Sequence, residues 1–200
     1  MTKVYICKIP GILPRDIVYP PLRQQEIDRQ RSEEKKLEKY WSWKLLEHAV
    51  KNETTYDFGA LDFRKQENGR WECPNFHFSI SHSAGYAAVV ISDTECGIDL
   101  EKHRKLIPGI EKKILTAGEL KDFAKLSGEE EKSHFLIRKW TEKEAIFKSL
   151  GKSALMPTAI ENEEFSVINR DYTLGEELFS LAVCGVGSEK CEISILEGLS

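Results

Sequence analysis

The sequence predicts an α+β protein whose sheets are mostly antiparallel. Strand-like segments open, divide and close the chain, and two long helical segments lie between them. Apolar residues spaced three and four apart indicate the helices, and apolar residues alternating with polar ones indicate the strands. The resulting order is strands, helix, strands, helices, strands. This order favours an α+β fold over a regular succession of parallel βαβ units.

The first strand is predicted in residues 1–10, and the first long helix after Ser32. Ser32 is a suitable N-cap, and Glu33 and Glu34 fall in the first turn, where the helix dipole favours acidic side chains. Apolar and aromatic residues then recur at helical spacing and are expected to face the core. These residues are Leu37, Tyr40, Trp41, Leu45, His48 and Ala49.

Two strands are predicted in the middle of the chain, after a turn at Asn68-Gly69. In residues 76–81 the apolar side chains alternate with His77, Ser79 and Ser81, which is typical of a half-buried strand. Residues 86–91 are more continuously apolar. The polar turn at residues 93–95 is expected to send the chain back as a hairpin into a strand over residues 97–101.

Helical spacing returns after Thr116, which forms an S/T-x-x-E capping box with Glu119. The helical pattern is expected to break near Gly128 and to stop at Gly151. Three further strands are predicted in residues 165–168, 178–183 and 191–196.

Composition excludes several classes of protein. The 200 residues are 40% hydrophobic and carry a formal net charge of −4, which favours a soluble globular protein without a nucleic-acid partner. No apolar run is long enough to span a membrane, and the first residues lack the layout of a secretion signal. The five cysteines are odd in number and lack C-x-x-C spacing, so we expect free thiols and a cytoplasmic location.

Two short segments carry most of the predicted chemistry. Asp99 and Glu101 share one face of the predicted strand because side chains alternate along a strand. Trp140, Glu144 and Lys148 form one stripe of the predicted helix because positions four apart lie above one another. If strand and helix meet, three carboxylates and one ammonium converge. That set is typical of a divalent-metal site that handles a phosphate or pyrophosphate.

Each segment also has a plainer interpretation. Charged residues often protect an exposed strand edge, and Glu144 with Lys148 is an ordinary i, i+4 pair on a solvated helix face. Two details favour a site. Gly97 is expected to leave room for a ligand beside the backbone, and Trp140 indicates that its face of the helix is partly buried.

A third segment, Ser81-His82-Ser83 followed by Gly85, offers several hydrogen-bond donors to an anion. An ordinary loop histidine is the alternative. The sequence lacks a Gly-x-Ser-x-Gly elbow, a phosphate-binding Walker loop and a dinucleotide-binding glycine fingerprint. These absences argue against serine hydrolases, kinases of the Walker class and dehydrogenases.

In this order, the motifs resemble the 4′-phosphopantetheinyl transferase superfamily. They are the segments 79–83, 96–101 and 140–148, preceded by Gly69-Arg70-Trp71 where the family has a Gly-Lys-Pro-like turn. The chain length is similar to the Sfp-like type. That resemblance implies two similar α/β halves related by a pseudo-two-fold axis, residues 1–97 and 98–200, with the active site in the cleft between them. It also implies a monomer.

The resemblance implies transfer of 4′-phosphopantetheine from coenzyme A to a serine of an acyl or peptidyl carrier protein, with release of 3′,5′-ADP. Magnesium, or manganese in its place, would be held by Asp99, Glu101 and Glu144. Glu144 would also take the serine proton, and Lys148 would stabilise the phosphate or the leaving group. The remaining contacts to coenzyme A are assigned by the same resemblance to His82, Ser81, Gly69, Arg70, Lys148 and, with Lys36 as the alternative, Lys39.

Carrier proteins of this kind are acidic, so a local basic surface is expected to attract them. A basic stretch follows the acidic strand and comprises Lys102, Arg104, Lys105, Lys112, Lys113, Lys121 and Lys125. Two other functions use the same residues: a magnesium-dependent phosphoester hydrolase, and a carrier-binding protein that has lost turnover.

Overall fold

The computed structural model describes residues 2–13, 19–105, 107–152, 154–161, 165–185 and 191–199. The strands are β1 (Thr2–Lys8), β2 (Arg64–Lys65), β3 (Trp71–Glu72), β4 (His77–Ser83), β5 (Tyr86–Ser92), β6 (Gly97–Lys102), β7 (Val167–Leu174), β8 (Glu177–Cys184) and β9 (Cys191–Leu196). The helices are α1 (Pro21–Asp28), α2 (Glu33–Glu53), α3 (Glu111–Ile114), α4 (Ala117–Lys125) and α5 (Glu129–Leu150), with short 3₁₀ turns at Phe58–Ala60 and Pro157–Ala159. The predicted α+β class with mostly antiparallel sheet is confirmed.

The first sheet has the strand order β4-β5-β1-β9. β5 is antiparallel to both β4 and β1, whereas β9 returns from the end of the chain and runs parallel to β1. Helix α2 packs on this sheet and contributes Trp43, Leu45 and Leu46, all fully buried, to the core beneath it. The removal of these large apolar side chains from water stabilises the packing of α2 on the sheet.

The second sheet has the order β6-β8-β7 and is antiparallel throughout. Helix α5 packs across it, with Ala145 and Ile146 buried against β8. The prediction that Gly97 leaves room for a ligand is wrong. A Cβ at Gly97 would overlap the carbonyl oxygen of Ala145, so the glycine instead admits the backbone of α5.

The predicted hairpin between residues 86–91 and 97–101 is also wrong. β5 has no free edge for β6 to pair with, because β4 lies on one side of β5 and β1 on the other. The hairpin is the β4–β5 pair, whose turn at Ala84 and Gly85 has φ values of 45° and 83°. Such a pair of positive φ values matches the twist of a two-residue hairpin turn. β6 finds its partner in β8, far along the chain.

The two sheets are joined by a row of side-chain hydrogen bonds between β4 and β6. Every second residue of β4 is a serine whose hydroxyl accepts a backbone N–H of β6 over 3.2 Å. The pairs are Ser79 with Ile98, Ser81 with Leu100, and Ser83 with Lys102. The face of β4 predicted to be solvated is therefore covered by β6, and Ser79 and Ser81 are buried.

Most of the predicted helix ends are confirmed. The Ser32 side chain accepts the amide N–H of Lys35, and Thr116 with Glu119 forms the predicted capping box. Gly151 ends α5 with a φ of 59°, in the left-handed region. Of the six positions predicted to face the core in α2, three are buried and the others are partly buried.

Two further observations concern the setting of the protein. All five cysteines are free thiols. Within the part of the chain that the structure describes, no helix is both long and apolar enough to cross a lipid bilayer.

Candidate active site

β6 and α5 meet along the two predicted motifs. At one end of the helical stripe, the indole Nε1 of Trp140 donates to Glu101 Oε1 over 3.2 Å. At the other end, Nζ of Lys148 donates to Asp99 Oδ1 over 2.7 Å. Glu144 lies between these contacts on the same face of the helix. The structure thus brings the five predicted residues of the strand and the helix together.

Asp99 is the most enclosed of the three acids, with 4% of its surface exposed. Its Oδ1 accepts hydrogen bonds from Lys148 and from the Ser81 hydroxyl, the latter over 2.8 Å. Its Oδ2 is buried and has no hydrogen-bond partner among the described residues. A buried carboxylate oxygen without a partner is costly, so this atom is a natural ligand for a cation.

Burial and mutual repulsion raise the pKa values of the other two acids. The pKa of Glu144 is raised to about 7, first by burial and then by the charge of Asp99. Burial also raises the pKa of Glu101, and Asp99 raises it further. A cation shared by these oxygens would relieve both effects, because it stabilises the charged form of each carboxyl group.

The acids are adjacent but not gathered around one point. In the described ranges, no three His, Cys, Asp or Glu side chains lie close enough together to hold a metal ion. The ammonium of Lys148 neutralises Asp99 instead. The donor set nevertheless fits magnesium, because it consists of hard carboxylate oxygens and includes the unpartnered Oδ2 of Asp99.

A cationic cavity of about 280 Å³ adjoins the acids. Lys148 belongs to both, since it contacts Asp99 and also lines the cavity. Five lysines and arginines and one histidine line the cavity, and none of its described lining residues is acidic. They are Arg23, Lys39, Arg70, Lys148, Lys152 and His82. Trp71, Phe78 and Phe147 provide apolar wall. This combination suits a ligand with several phosphates and a flat or apolar part.

Most of the predicted substrate-binding residues line this cavity: Gly69, Arg70, His82, Lys39 and Lys148. Ser81 does not. Ser81 is 5% exposed, and its hydroxyl accepts the Leu100 amide N–H and donates to Asp99. The geometry therefore gives Ser81 the role of orienting an acid, in place of the substrate contact that the resemblance implied.

Arg23, on α1, lines the cavity and was missed by the sequence reasoning. Its guanidinium donates to the carbonyl oxygen of Lys39 over 2.9 Å and to Glu26 over 3.1 Å, and lies 5.2 Å from the centre of a Trp43 ring. Helix α1 has no clear apolar stripe. The available signal was Pro20-Pro21, because proline is favoured in the first turn of a helix.

Arg70 connects the turn before β3 to the end of α5. Its guanidinium pairs with Glu95 and also donates to the carbonyl oxygen of Ser149 over 3.4 Å. In the same turn, Asn68 donates to the carbonyl oxygen of Gly151. The cavity wall is therefore fixed to the helix that carries Glu144 and Lys148.

Lys143, next to Glu144 in the helical motif, is fully buried and has a structural role. Its Nζ donates to Glu119 over 2.6 Å and to the carbonyl oxygen of Pro157 over 2.9 Å. Glu119 also completes the capping box of α4. Lys143 thus fixes the start of α4 against α5.

Comparison with known proteins finds similarity to one family. Residues 95–180 match the model of the 4′-phosphopantetheinyl transferase superfamily. The chain is 27% identical over 111 residues to the 4′-phosphopantetheinyl transferase psf-1 of Bacillus pumilus, covering 54% of this chain and 47% of that protein. It is 27% identical over 138 residues to the 4′-phosphopantetheinyl transferase Sfp of Bacillus subtilis strain 168, covering 67% and 59%.

A further 4′-phosphopantetheinyl transferase of Bacillus subtilis is 25% identical over 170 residues, covering 74% of this chain and 73% of that protein. The alignments with psf-1 and Sfp thus span about half to three fifths of those relatives' own lengths, 47% and 59%. The resemblance predicted from the motifs is confirmed by these matches.

Proposed function

Since residues 95–180 match the model of the 4′-phosphopantetheinyl transferase superfamily, we propose that this chain belongs to that superfamily and transfers 4′-phosphopantetheine from coenzyme A to a carrier-protein serine. The observation that carries the proposal is the junction at Lys148. One side chain lines a cationic cavity suited to a polyphosphate ligand and also contacts the acidic cluster beside it. Phosphoryl transfer needs this combination of positioning and charge stabilisation.

In the proposed reaction the serine oxygen forms a bond to the phosphorus on the pantetheine side of the pyrophosphate. The phosphorus–oxygen bond to 3′,5′-ADP breaks, and the serine proton is removed. Glu144 is the proposed base, because its carboxyl group lies close enough to Asp99 and Lys148 for their charges to act on it, and a carboxylate so placed can accept the serine proton directly or through a water. Lys148 would stabilise negative charge on the transferred phosphate or on the leaving group.

Asp99, Glu101 and Glu144 are the proposed ligands of magnesium. When bound, the ion supplies positive charge that stabilises the pyrophosphate as the bond breaks. Trp140 would orient Glu101, and Ser81 would orient Asp99, through the hydrogen bonds that they already make. Manganese remains an alternative ion, since it also accepts oxygen ligands.

His82, Arg70, Lys39 and the backbone at Gly69 are proposed to bind coenzyme A, with Arg23 added to this set. All line the cavity, and the guanidinium groups suit bidentate contact with phosphate. The adenine would pack against the apolar side chains of Trp71 and Phe78, which line the same cavity.

We also propose a pseudo-two-fold arrangement divided between residues 97 and 98, with both halves acting as a monomer. Its support is topological. β1, α2, β4 and β5 form a strand, a helix and a hairpin, with β1 beside β5. β6, α5, β7 and β8 repeat this order, with β6 beside β8. β9 departs from the division, because it belongs to the second half yet pairs with β1.

The proposed partners are coenzyme A and an acidic acyl or peptidyl carrier protein, without nucleic acid or membrane. The proposed docking surface is the basic stretch after β6. Its α3 residues Lys112 and Lys113 are exposed, as are Lys121 and Lys125 of α4. The free thiols support a cytoplasmic location for this reaction.

The decisive experiment incubates the protein with coenzyme A, magnesium and apo forms of one acyl and one peptidyl carrier protein, and then measures the carrier mass. A gain of one phosphopantetheine on either carrier supports the proposal. Cleavage of coenzyme A without transfer would indicate the phosphoester hydrolase, and binding without any reaction would indicate the silent homologue.

A matched pair of variants tests the assigned acid. Glu144→Gln is expected to abolish the gain in mass, because it removes both the base and a metal ligand. Glu142→Gln alters a carboxylate on another face of α5, where it contacts Lys139 and Asn169. It should transfer at the normal rate. Equal rates for the two variants would show that Glu144 is not the base.

A further inference from the structure

A buried carboxylate lies behind His82. Glu38, on α2, has only 6% of its side chain exposed, and its Oε2 lies 3.3 Å from Nδ1 of His82. The same oxygen lies 2.6 Å from Nζ of Lys35. His82 lines the cationic cavity, and so does Lys39, the next residue after Glu38, but Glu38 itself does not. The imidazole thus stands between the carboxylate and the cavity.

The other charged groups around His82 are cations. Burial is the largest influence on His82 and lowers its pKa below the usual value, and Lys35 and Lys39 of α2 and Lys148 of α5 lower it further, so the ring of the free protein is mostly neutral at neutral pH. Glu38 is the only group acting on His82 in the described residues that favours the charged form. The remaining cations on the cavity wall are Arg23, Arg70 and Lys152.

The state of the ring decides whether His82 can bind an anion. A neutral imidazole has one N–H and one lone pair, and a carboxylate at Nδ1 holds the proton on that nitrogen. Nε2 would then present a lone pair to a phosphate oxygen, which is repulsive. In the imidazolium, both nitrogens donate. Nδ1–H is then directed to Glu38, and Nε2–H is free for the ligand.

We propose that Glu38 is a positioning residue for coenzyme A: it orients His82 and stabilises the imidazolium that forms when a phosphate of the ligand binds, so that Nε2–H donates to that phosphate. This role rests on the function proposed above. Glu38 does not touch the ligand, and it acts through His82 alone.

The direction in which Glu38→Gln changes the affinity for coenzyme A distinguishes this role from a long-range electrostatic effect. Removing a negative charge beside an anion site would strengthen binding if only long-range attraction mattered. Glu38→Gln also frees Lys35 from its ion pair, which acts in the same direction. The proposal predicts the opposite result, weaker binding, because the imidazolium that forms on binding loses the carboxylate that stabilises it.

Calorimetry with coenzyme A at pH 5 and pH 8 tests this. At pH 8, Glu38→Gln should bind about tenfold more weakly than the wild type, the loss expected when a charge-assisted hydrogen bond loses its support. At pH 5 the difference should narrow, because solvent then protonates the ring in both proteins more readily. A narrower difference at pH 5 also shows that the variant is folded. The control is Glu47→Gln, which alters a buried carboxylate on the same helix that pairs with Lys44 and Lys51. It should bind as the wild type does at both pH values.

Two further measurements complete the test. In a His82→Ala background, Glu38→Gln should no longer weaken binding. NMR titration of the His82 ring should give a lower pKa in Glu38→Gln than in the wild type. Equal affinities of Glu38→Gln and wild type at pH 8, or an equal loss at both pH values, would overturn the role of Glu38. Wild-type protein that does not bind coenzyme A at either pH would overturn the proposed function, and this role with it.

Discussion

The hydroxyl of Ser81 donates a hydrogen bond of 2.8 Å to Oδ1 of Asp99. The same hydroxyl accepts the amide N–H of Leu100, so one serine on β4 fixes both the backbone and the acid of β6. The position of Asp99 therefore depends on how the two sheets pack. A serine in this place couples the fold to the site without contacting a ligand.

Ser81→Ala is expected to weaken both the fold and the site. The Leu100 N–H loses its acceptor, which costs about 1–3 kcal/mol of unfolding free energy for a buried group. The magnesium concentration for half-maximal transfer should rise about tenfold, because Asp99 loses a group that orients it. Denaturant unfolding and a magnesium titration of transfer measure these two effects.

Ser79→Ala is the matched control for this prediction. Ser79 accepts the Ile98 N–H over the same 3.2 Å, but no bond joins its hydroxyl to an acid among those observed. We expect a similar loss of stability and an unchanged magnesium requirement. If both variants shifted the magnesium requirement equally, Ser81 would have no particular effect on Asp99.

Glu144 is expected to make the metal-free protein less stable as pH rises. Its pKa is raised from 4.5 to about 7 in the folded state, so the folded protein binds the proton more tightly than the unfolded chain does. The neutral form is favoured, and this contribution to stability is lost between about pH 4.5 and pH 7. Above pH 7 it does not change further.

Glu144→Gln should therefore be more stable than the wild type at pH 8 in the presence of a chelator. The gain should be about 1 kcal/mol, because Glu144 is only partly buried and solvent screens part of the shift. The difference should shrink as the pH falls towards 5. Denaturant unfolding at several pH values measures it, and a difference that is constant with pH would contradict the raised pKa.

The sequence predicted which acidic and basic residues share a face because that geometry is local. The alternation of Asp99 with Leu100, and the four-residue spacing of Glu144 and Lys148, fix shared faces before any tertiary contact is known. The order of the motifs then indicated that these two faces meet. His82 was selected as a candidate from its serine neighbours, and it lines the cavity.

The errors concern contacts that are distant in sequence. Nothing near Gly97 reveals that the carbonyl oxygen of Ala145 fills the space beside it. The hairpin prediction joined adjacent strands, whereas β6 pairs with β8 about eighty residues later. Arg23 was missed because a short helix without an apolar stripe gives little periodic signal. Glu38 was missed because nothing near it in the sequence shows that α2 brings it to Nδ1 of His82, which lies on β4.

Lys148→Met is expected to separate metal binding from turnover. Lys148 contacts Asp99 in the metal-free protein and thus competes with a cation for that oxygen. Its removal should lower the magnesium concentration needed for half-maximal binding. It should also reduce kcat by about a hundredfold, the usual loss when one charge-stabilising donor is removed.

Magnesium binding measured by calorimetry and transfer measured by carrier mass give the two values for Lys148→Met. Lys152→Met serves as the control, since Lys152 lines the same cavity but makes no ion pair with Asp99 in the structure. It should alter the KM for coenzyme A without changing the magnesium requirement. Unchanged turnover in Lys148→Met would remove that lysine from the proposed chemistry.

The basic stretch after β6 is expected to control carrier recognition. Lys112 and Lys113 are exposed in α3 and give this part of the surface a positive charge, although the protein as a whole is weakly acidic. Replacing both by Glu should raise the KM for the carrier about tenfold and weaken its dependence on salt, because attraction to an acidic helix becomes repulsion. The KM for coenzyme A should stay the same, since neither lysine lines the cavity.

Replacing the exposed Arg29 and Arg31 by Glu is the control, because it changes the net charge equally at a different place. If that pair raised the carrier KM as much as the α3 pair, overall charge rather than a docking surface would account for the effect.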